Sequence, residues 1–121
     1  YVDVLDDQHR IRDLKTKGRA MSQDDADRSL QGTFYHLAIA RETGRAPAAF
    51  VLDVAVATVR PKSQELMSTR GAADVRRLAH VLTAVNQSII AGRFPPASPD
   101  AWNCSERWCG YWRTCRFGGA P

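Results

Sequence analysis

The sequence predicts a domain of the α/β or α+β class that ends in an irregular tail. Two short segments near the start alternate apolar with polar residues, and a later run is rich in β-branched residues. Two further segments carry apolar residues at helical spacing, which completes the pattern of a mixed domain. The 121 residues, 44% hydrophobic and 25% charged, are typical of one globular domain with a single core.

The chain opens with a predicted β-hairpin over residues 1–16. Apolar and polar residues alternate in two segments, as expected for strands with one buried face. Between them lie residues 6–9 (DDQH), which are typical of a turn. The alternating positions are Val2 and Val4 on the first strand and Ile11, Asp13 and Lys15 on the second.

Two helices are predicted from apolar residues spaced three and four apart. The first covers residues 23–42, because Ser22 and Asp25 form a helix-entry signature and the apolar pattern continues until a glycine stops it. The second covers residues 74–91 and ends at Gly92. Both helices are expected to be amphipathic and to pack on the strands.

Residues 48–59 are nearly continuous in apolar character, which predicts a strand buried on both faces. Residues 63–68 are a candidate edge strand. The composition then shifts to Pro, Trp, Gly and Cys, which prevents long regular structure. We therefore divide the chain into a core, residues 1–93, and a Cys- and Trp-rich tail, residues 94–121, that packs on it.

Hydropathy argues against a membrane as partner, and the net charge permits nucleic acid. No apolar run approaches the roughly 18 to 20 residues that span a bilayer, so no membrane insertion is expected. The formal net charge of +4 lowers the cost of approaching a polyanion and permits nucleic acid as a partner without demonstrating it. No secretory leader is visible, and we expect a cytoplasmic location.

Asp13 and Lys15 lie two residues apart on a predicted strand, so both side chains project from the same face. With Asp3 on the neighbouring strand, they form a set of two carboxylates and one ammonium that suits Mg²⁺ or Mn²⁺. A metal held there polarises a phosphate and activates water, which is the chemistry of phosphodiester hydrolysis. The alternative is an outward-facing Asp3 and a surface ion pair of Asp13 with Lys15.

The metal-site hypothesis imposes a condition on the hairpin. Cross-strand partners share a face, so pairing of Asp3 with Asp13 centres the hairpin on Gln8 and requires an odd loop or a bulge. An even loop would pair Asp3 with Arg12 and place its carboxylate on the wrong side of the sheet.

Three short motifs stand in order: residues 2–5 (VDVL), residues 11–16 (IRDLKT), and Gln31 with Tyr35 on the following helix. They resemble the second acidic, D-x-K-T and Q-x-x-x-Y motifs of the PD-(D/E)XK nuclease superfamily, in its RecB-like exonuclease branch. The resemblance implies a restriction-endonuclease-like core with a central mixed sheet flanked by helices. Because the chain opens at Tyr1 directly into a strand, we expect a fragment that lacks the family's N-terminal helix and first motif.

The resemblance implies a role for each matching residue of the hairpin. Asp3 and Asp13 would ligate Mg²⁺ or Mn²⁺, with the backbone carbonyl of Leu14 as a further ligand. Lys15 would be the catalytic lysine. The missing N-terminal helix bears a Glu or His that completes the metal shell in the family, so the fragment alone is expected to hold metal weakly and can be inactive.

Gln31 and Tyr35 would line the DNA-facing side of the site and take part in catalysis. Their spacing of four places both on one helical face. The alternative is a Tyr35 ring in the core and a solvated Gln31. We also expect Lys17 and Arg19, which follow the lysine motif, to bind nucleic acid.

All three cysteines, Cys104, Cys109 and Cys115, lie in the tail, which indicates one local site rather than a disulfide framework. In iron–sulfur members of the branch that the chain resembles, three such cysteines join a fourth from far upstream in a [4Fe–4S] cluster. The four-residue gap between Cys104 and Cys109 departs from the commoner spacing. Zinc with one histidine, or burial without metal, are the alternatives.

Aromatic residues interleave with arginines in the same tail, which gives a combination able to stack bases and neutralise phosphates of single strands. The alternative is that the aromatic rings pack the tail onto the domain. The residues are Trp102, Arg107, Trp108, Tyr111, Trp112, Arg113 and Arg116.

The sequence leads to one main hypothesis and two others. The main one is a metal-dependent DNA exonuclease that acts on duplex ends or single strands in phage or bacterial recombination and repair. The others are a non-catalytic nucleic-acid-binding or assembly module stabilised by a zinc or iron–sulfur site, and a degenerate nuclease fragment. Polarity of digestion, DNA against RNA, and oligomeric state are left open by the sequence.

Overall fold

The computed structural model describes residues 2–98 and 100–115, and within them it contains four strands and three helices. The elements are β1 (Val4–Leu5), β2 (Ile11–Lys17), α1 (Gln23–Asp27), α2 (Leu30–Thr43), β3 (Phe50–Val56), β4 (Lys62–Ser68) and α3 (Ala72–Ile90). The strands form one sheet in the order β1-β2-β3-β4. β2 and β3 are parallel, and both outer pairs are antiparallel. The expected mixed sheet with helices is confirmed.

β1 and β2 form the expected hairpin, and its register meets the condition set by the metal-site hypothesis. Val4 pairs with Arg12, which centres the pairing on Gln8. The connecting loop, residues 6–10, therefore has an odd number of residues. The Asp6 carboxylate stabilises this loop by accepting hydrogen bonds from two of its backbone N–H groups, at 3.1 and 2.8 Å.

The continuous helix predicted over residues 23–42 is wrong, because the chain forms two helices there. The predicted helix entry is confirmed, since Ser22 and Asp25 form a capping box at the start of α1. After α1 ends, Ser29 caps a new helix, and its side chain accepts a hydrogen bond from Gly32 N at 3.0 Å. A serine hydroxyl that binds a nearby backbone N–H competes with continued helix at that position.

β3 is the central strand and supplies most of the core. Its side chains on one face are 1–2% exposed and cluster with two residues of β2 and α1. These side chains are Phe50, Leu52, Val54 and Val56 of β3, with Ile11 of β2 and Ala26 of α1.

The prediction that this strand is buried on both faces is wrong beyond Val51, because Asp53 is half-buried and Ala55 is exposed. That face carries ionic contacts instead. Arg12 donates to both oxygens of Asp53, at 2.7 and 2.6 Å, and to Glu65 at 2.6 Å. These hydrogen bonds, first from Asp53 and then from Glu65, raise the pKa of Arg12 above its ordinary value.

The edge strand and the last helix are confirmed, since β4 and α3 begin and end within two residues of the predicted positions. The chain divides into two compact units, residues 1–83 and 84–121. The first unit contains the sheet with α1 and α2, and the described residues that follow α3 form turns and extended chain. Among the described residues, no helix combines the length and apolar character that a bilayer span requires.

Candidate functional site

β2 places Asp13 and Lys15 on one face of the sheet, as its alternation predicts. Ile11 and Asp13 are buried on this face, and the Lys15 side chain is 31% exposed. Lys15 Nζ lies 2.8 Å from Asp13 Oδ2. Because Asp13 itself is only 2% exposed, the pair is not the surface ion pair of the alternative interpretation.

The two oxygens of the Asp13 carboxylate have different partners. Oδ1 accepts a hydrogen bond from Gln31 Nε2 at 3.2 Å. Oδ2 is close to the Lys15 ammonium but outside hydrogen-bonding geometry, so it is buried with charge pairing and no hydrogen bond. The Lys15 ammonium offsets part of the free-energy cost of burying this carboxylate.

Gln31, in the first turn of α2, hydrogen-bonds to two side chains of β2. Its Oε1 accepts from Lys15 Nζ at 3.2 Å, and its Nε2 donates to the Tyr35 hydroxyl at 2.8 Å as well as to Asp13. Tyr35 also packs against the hydrophobic core, so the ring is structural while its hydroxyl belongs to the site. The structure thus brings together Asp13, Lys15, Gln31 and Tyr35 in one connected network.

Asp3 lies next to this network. Its Oδ2 accepts a hydrogen bond from Leu14 N at 2.9 Å, which fixes the carboxylate beside the backbone of β2. Asp3 itself precedes β1 and is not part of the ladder, which ends at the Val4–Arg12 pair. Asp3 is exposed and therefore accessible to solvent and substrate.

Lys17 and Arg19 are exposed and line a surface depression with Asp25, separate from the network around Asp13. Hydrogen bonds from Ser22 lower the pKa of Asp25, and the charges of Arg19 and Lys17 lower it further. The two basic residues therefore form a positive surface that continues from the end of β2.

Sequence reasoning missed the residues that hold α2 close to the sheet. A Cβ atom added at Gly32 would lie 2.6 Å from Phe50 Cδ1 and 2.7 Å from Arg70 Nη2. The Arg70 guanidinium lies over the Phe50 ring, 5.2 Å from its centre, and donates to Ala26 O at 2.7 Å. Since Gly32 follows Gln31 directly, this close packing sets the distance from Gln31 to β2. A glycine inside a predicted helix was the available signal.

The donor atoms fit a hard divalent cation. Asp3, Asp13 and the Leu14 carbonyl carry oxygen atoms of the kind that such a cation takes as ligands, and the buried Oδ2 of Asp13 is paired with the Lys15 ammonium at 2.8 Å. Within residues 2–98 and 100–115, no three His, Cys, Asp or Glu side chains converge as a metal site. The predicted ligands alone are fewer than the six that Mg²⁺ takes, and this ion generally retains several waters in protein sites.

The three cysteines do not converge in the part of the chain that the structure describes. Cys104, Cys109 and Cys115 are free and half-buried, and they form no group able to hold a metal among the described residues. The predicted zinc or iron–sulfur site is therefore not assembled there.

A mixed sheet in which an acid–x–lysine strand lies beside a second acidic residue defines the restriction-endonuclease-like class of α/β fold. The sequence model of the PD-(D/E)XK nuclease superfamily matches residues 1–116. The chain belongs to this superfamily, whose members are nucleases that act on nucleic acid and generally use Mg²⁺ or Mn²⁺. No curated protein and no solved structure matches the chain with statistical significance.

Proposed function

We propose that this chain carries the catalytic strand of a metal-dependent deoxyribonuclease of the RecB-like exonuclease type. It would hydrolyse phosphodiester bonds at DNA ends or in single strands during recombination, repair or phage DNA processing. The observation that supports this most directly is the network of Asp13, Lys15, Gln31 and Tyr35, in which a buried carboxylate lies beside a lysine ammonium and a glutamine amide.

Each residue of the network has a distinct task in the proposed reaction. A divalent cation on Asp13, Asp3 and the Leu14 carbonyl would polarise the scissile phosphate and lower the pKa of a bound water. Gln31 holds Asp13 through Oδ1 and so fixes the carboxylate that would hold the cation. Lys15 donates to Gln31 Oε1, which holds its ammonium at the site, and its charge would orient the attacking water or stabilise the developing negative charge.

The proposal also gives roles to Tyr35, which contacts the Gln31 amide, and to Lys17 and Arg19, which would contact DNA. The Tyr35 hydroxyl accepts from Gln31 Nε2, which keeps the amide oxygen turned towards the lysine. Lys17 and Arg19 would neutralise backbone phosphates, because both are exposed and continue from the catalytic strand. These contacts would bind DNA without reading its sequence.

The test is a cleavage assay on end-labelled linear duplex, single-stranded and closed circular DNA with Mg²⁺ or Mn²⁺. Asp13→Asn and Lys15→Met are each expected to lower the rate about 100-fold or more while circular dichroism shows an intact fold. Asp24→Asn and Lys62→Met make the same chemical changes at exposed positions and are the matched controls. Full activity in either site variant would overturn the proposed mechanism, and cleavage of closed circles would overturn the exonuclease assignment.

We extend the proposal to the cysteines, which would ligate a [4Fe–4S] cluster or zinc with a fourth ligand from elsewhere. It is supported by three free, half-buried thiols within one short segment. Iron, sulfide and zinc analysis of anaerobically purified protein tests this directly. Zinc at the thiols, with DNA binding but no cleavage, would instead favour a non-catalytic nucleic-acid-binding or assembly module.

A further inference from the structure

We propose that the second unit carries a binding surface for single-stranded nucleic acid, formed by Trp102, Trp108 and Tyr111 with Arg107. We call these four residues the aromatic surface. It is separate in sequence from the catalytic strand and extends the proposed nuclease function by giving the substrate a second point of attachment.

The first support is the exposure of large aromatic rings. Trp102 is 75% exposed, Trp108 59% and Tyr111 78%. Tryptophan and tyrosine are usually mostly buried, because each hides a large apolar area from water. A group of such rings left in solvent within one short segment marks an interaction site more often than a random surface.

The second support is that two of the rings, those of Trp102 and Trp108, are held in place. The Trp102 and Trp108 rings contact edge to face, with centres 5.8 Å apart and planes at 76°. The Arg107 guanidinium lies 5.2 Å from the centre of the Trp108 ring. Local turns order the backbone through hydrogen bonds such as Cys109 N to Ser105 O at 2.8 Å. Less conformational entropy is therefore lost on binding.

Charge and ring chemistry select the ligand. Arg107 brings a positive charge to the rings, and the exposed Arg113 adds another, only loosely paired with Glu106 at 3.5 Å. Aromatic rings that alternate with arginines can stack bases and neutralise the phosphates between them. The bases of a duplex are already stacked, so the aromatic surface fits single strands. Every base offers a π face, and we expect little sequence preference.

The chain offers a direct probe, because its three tryptophans, Trp102, Trp108 and Trp112, all lie in this segment. Intrinsic tryptophan fluorescence of the whole protein therefore reports on this segment, with two of the three fluorophores in the aromatic surface. The titrant is oligo(dT) in buffer without divalent cations, and a gel verifies afterwards that the oligonucleotide is intact. Saturable quenching is expected.

Two substitutions at one position separate stacking from general apolarity. Trp102→Leu is expected to weaken binding roughly five- to 150-fold, the effect of losing one stacked base. Trp102→Phe keeps a ring and should retain most of the affinity. Phe94→Leu, at a 71% exposed position of the same unit, is the matched control and should change nothing. Arg107→Gln should reduce the slope of log K against log salt by about 0.7, as for one lost phosphate contact.

Several results would overturn the inference. One is absence of quenching at millimolar oligo(dT), and another is equal affinity in the natural protein, Trp102→Leu and Arg107→Gln. A concentration-dependent dimer that shifts tryptophan emission without oligonucleotide would assign the aromatic surface to a second copy of the chain. If the protein binds oligo(dT) but does not cleave DNA, only the nuclease proposal is contradicted. If it cleaves DNA but oligo(dT) does not quench its fluorescence, only the present inference is contradicted.

Discussion

The charged side chains on the two faces of β2 have different contacts, although the neighbouring residues Arg12 and Asp13 supply them. On one face Arg12 is held by both oxygens of Asp53 and by Glu65, at distances of 2.6 to 2.7 Å. On the other, the more deeply buried Asp13 has an oxygen with no hydrogen bond and a lysine at 2.8 Å. Arg12 has its hydrogen bonds made in the folded protein, while Asp13 Oδ2 is held by the charge of Lys15 alone.

This difference teaches how to separate stabilising charges from functional ones. A charged group that has its hydrogen bonds satisfied contributes to folding and has little left for a ligand. A buried polar atom without a hydrogen bond is uncommon in folded proteins and calls for a reason, such as an ion that binds there. We therefore expect substitutions on the Arg12 face to change stability and those on the Asp13 face to change cleavage.

The largest combined effect is expected at Gly32, which keeps α2 close to the Asp13 face. Gly32→Ala places a methyl group 2.6 Å from Phe50 Cδ1, so the helix must move away. We expect a stability loss of about 1–3 kcal/mol, typical of overpacking, together with a loss of cleavage because Gln31 moves with the helix. Urea denaturation and the DNA cleavage assay measure the two effects.

Gly18→Ala is the matched control, because a Cβ atom there meets nothing within 4 Å. A Gly32→Ala protein with the stability and activity of the Gly18→Ala protein would contradict the close packing of α2.

Arg12→Met tests the face of β2 on which the charged groups have their hydrogen bonds made. The substitution leaves Asp53 and Glu65 without their main donor and should cost about 1.5–3 kcal/mol of unfolding free energy, as for hydrogen bonds to charged groups. Cleavage measured well below the melting temperature should persist. Arg60→Met changes an exposed arginine and should leave stability nearly unchanged. If Arg12→Met abolishes cleavage in a fully folded protein, the two faces of β2 are not separate in function.

Ser29→Ala removes the cap that begins α2. Its hydroxyl accepts from Gly32 N, and its loss should cost about 0.5–2 kcal/mol in thermal or urea unfolding. Ser29→Asp, which also supplies a capping oxygen, should restore most of the stability. Equal stabilities of the alanine and aspartate variants would show that the cap does not matter to α2.

The smallest effect concerns pH and Asp6 on the hairpin loop. Burial tends to raise the pKa of Asp6, but hydrogen bonds and charge from Arg10, with the Gln8 N–H, outweigh it and lower the pKa. The group therefore stabilises the fold above about pH 3.9, its unfolded value, and this contribution is lost as pH falls through the folded-state pKa.

The melting temperature of Asp6→Asn should accordingly fall below that of the natural protein at pH 6, and the gap should close in strong acid. A gap that stays constant between pH 6 and pH 2 would show that the Asp6 charge contributes nothing.

The β1–β2 hairpin could be predicted because its pattern is local in the sequence. Period-two alternation placed Asp13 and Lys15 on one face, and the hairpin has the odd loop that the metal-site hypothesis requires. The four-residue spacing likewise placed Gln31 and Tyr35 together on a helix that packs over this face.

What the sequence did not reveal depends on residues far apart in the chain. Arg12 pairs with Asp53, 41 positions later, and no local sequence pattern predicts such a contact. Arg70 likewise finds Phe50 and the α1 carbonyl of Ala26 only after the sheet has formed. The break at Ser29 was missed for another reason, since serine is compatible both with a helix interior and with a cap.

The central claim is that the Asp13 face, and not the Arg12 face, binds the divalent ion. Mn²⁺ titration followed by electron paramagnetic resonance, on the folded protein at low temperature, tests it most directly. Asp13→Asn should abolish or greatly weaken Mn²⁺ binding, and Asp53→Asn, the same change on the opposite face, should leave it intact. Undiminished binding in Asp13→Asn, or loss only in Asp53→Asn, would contradict the account.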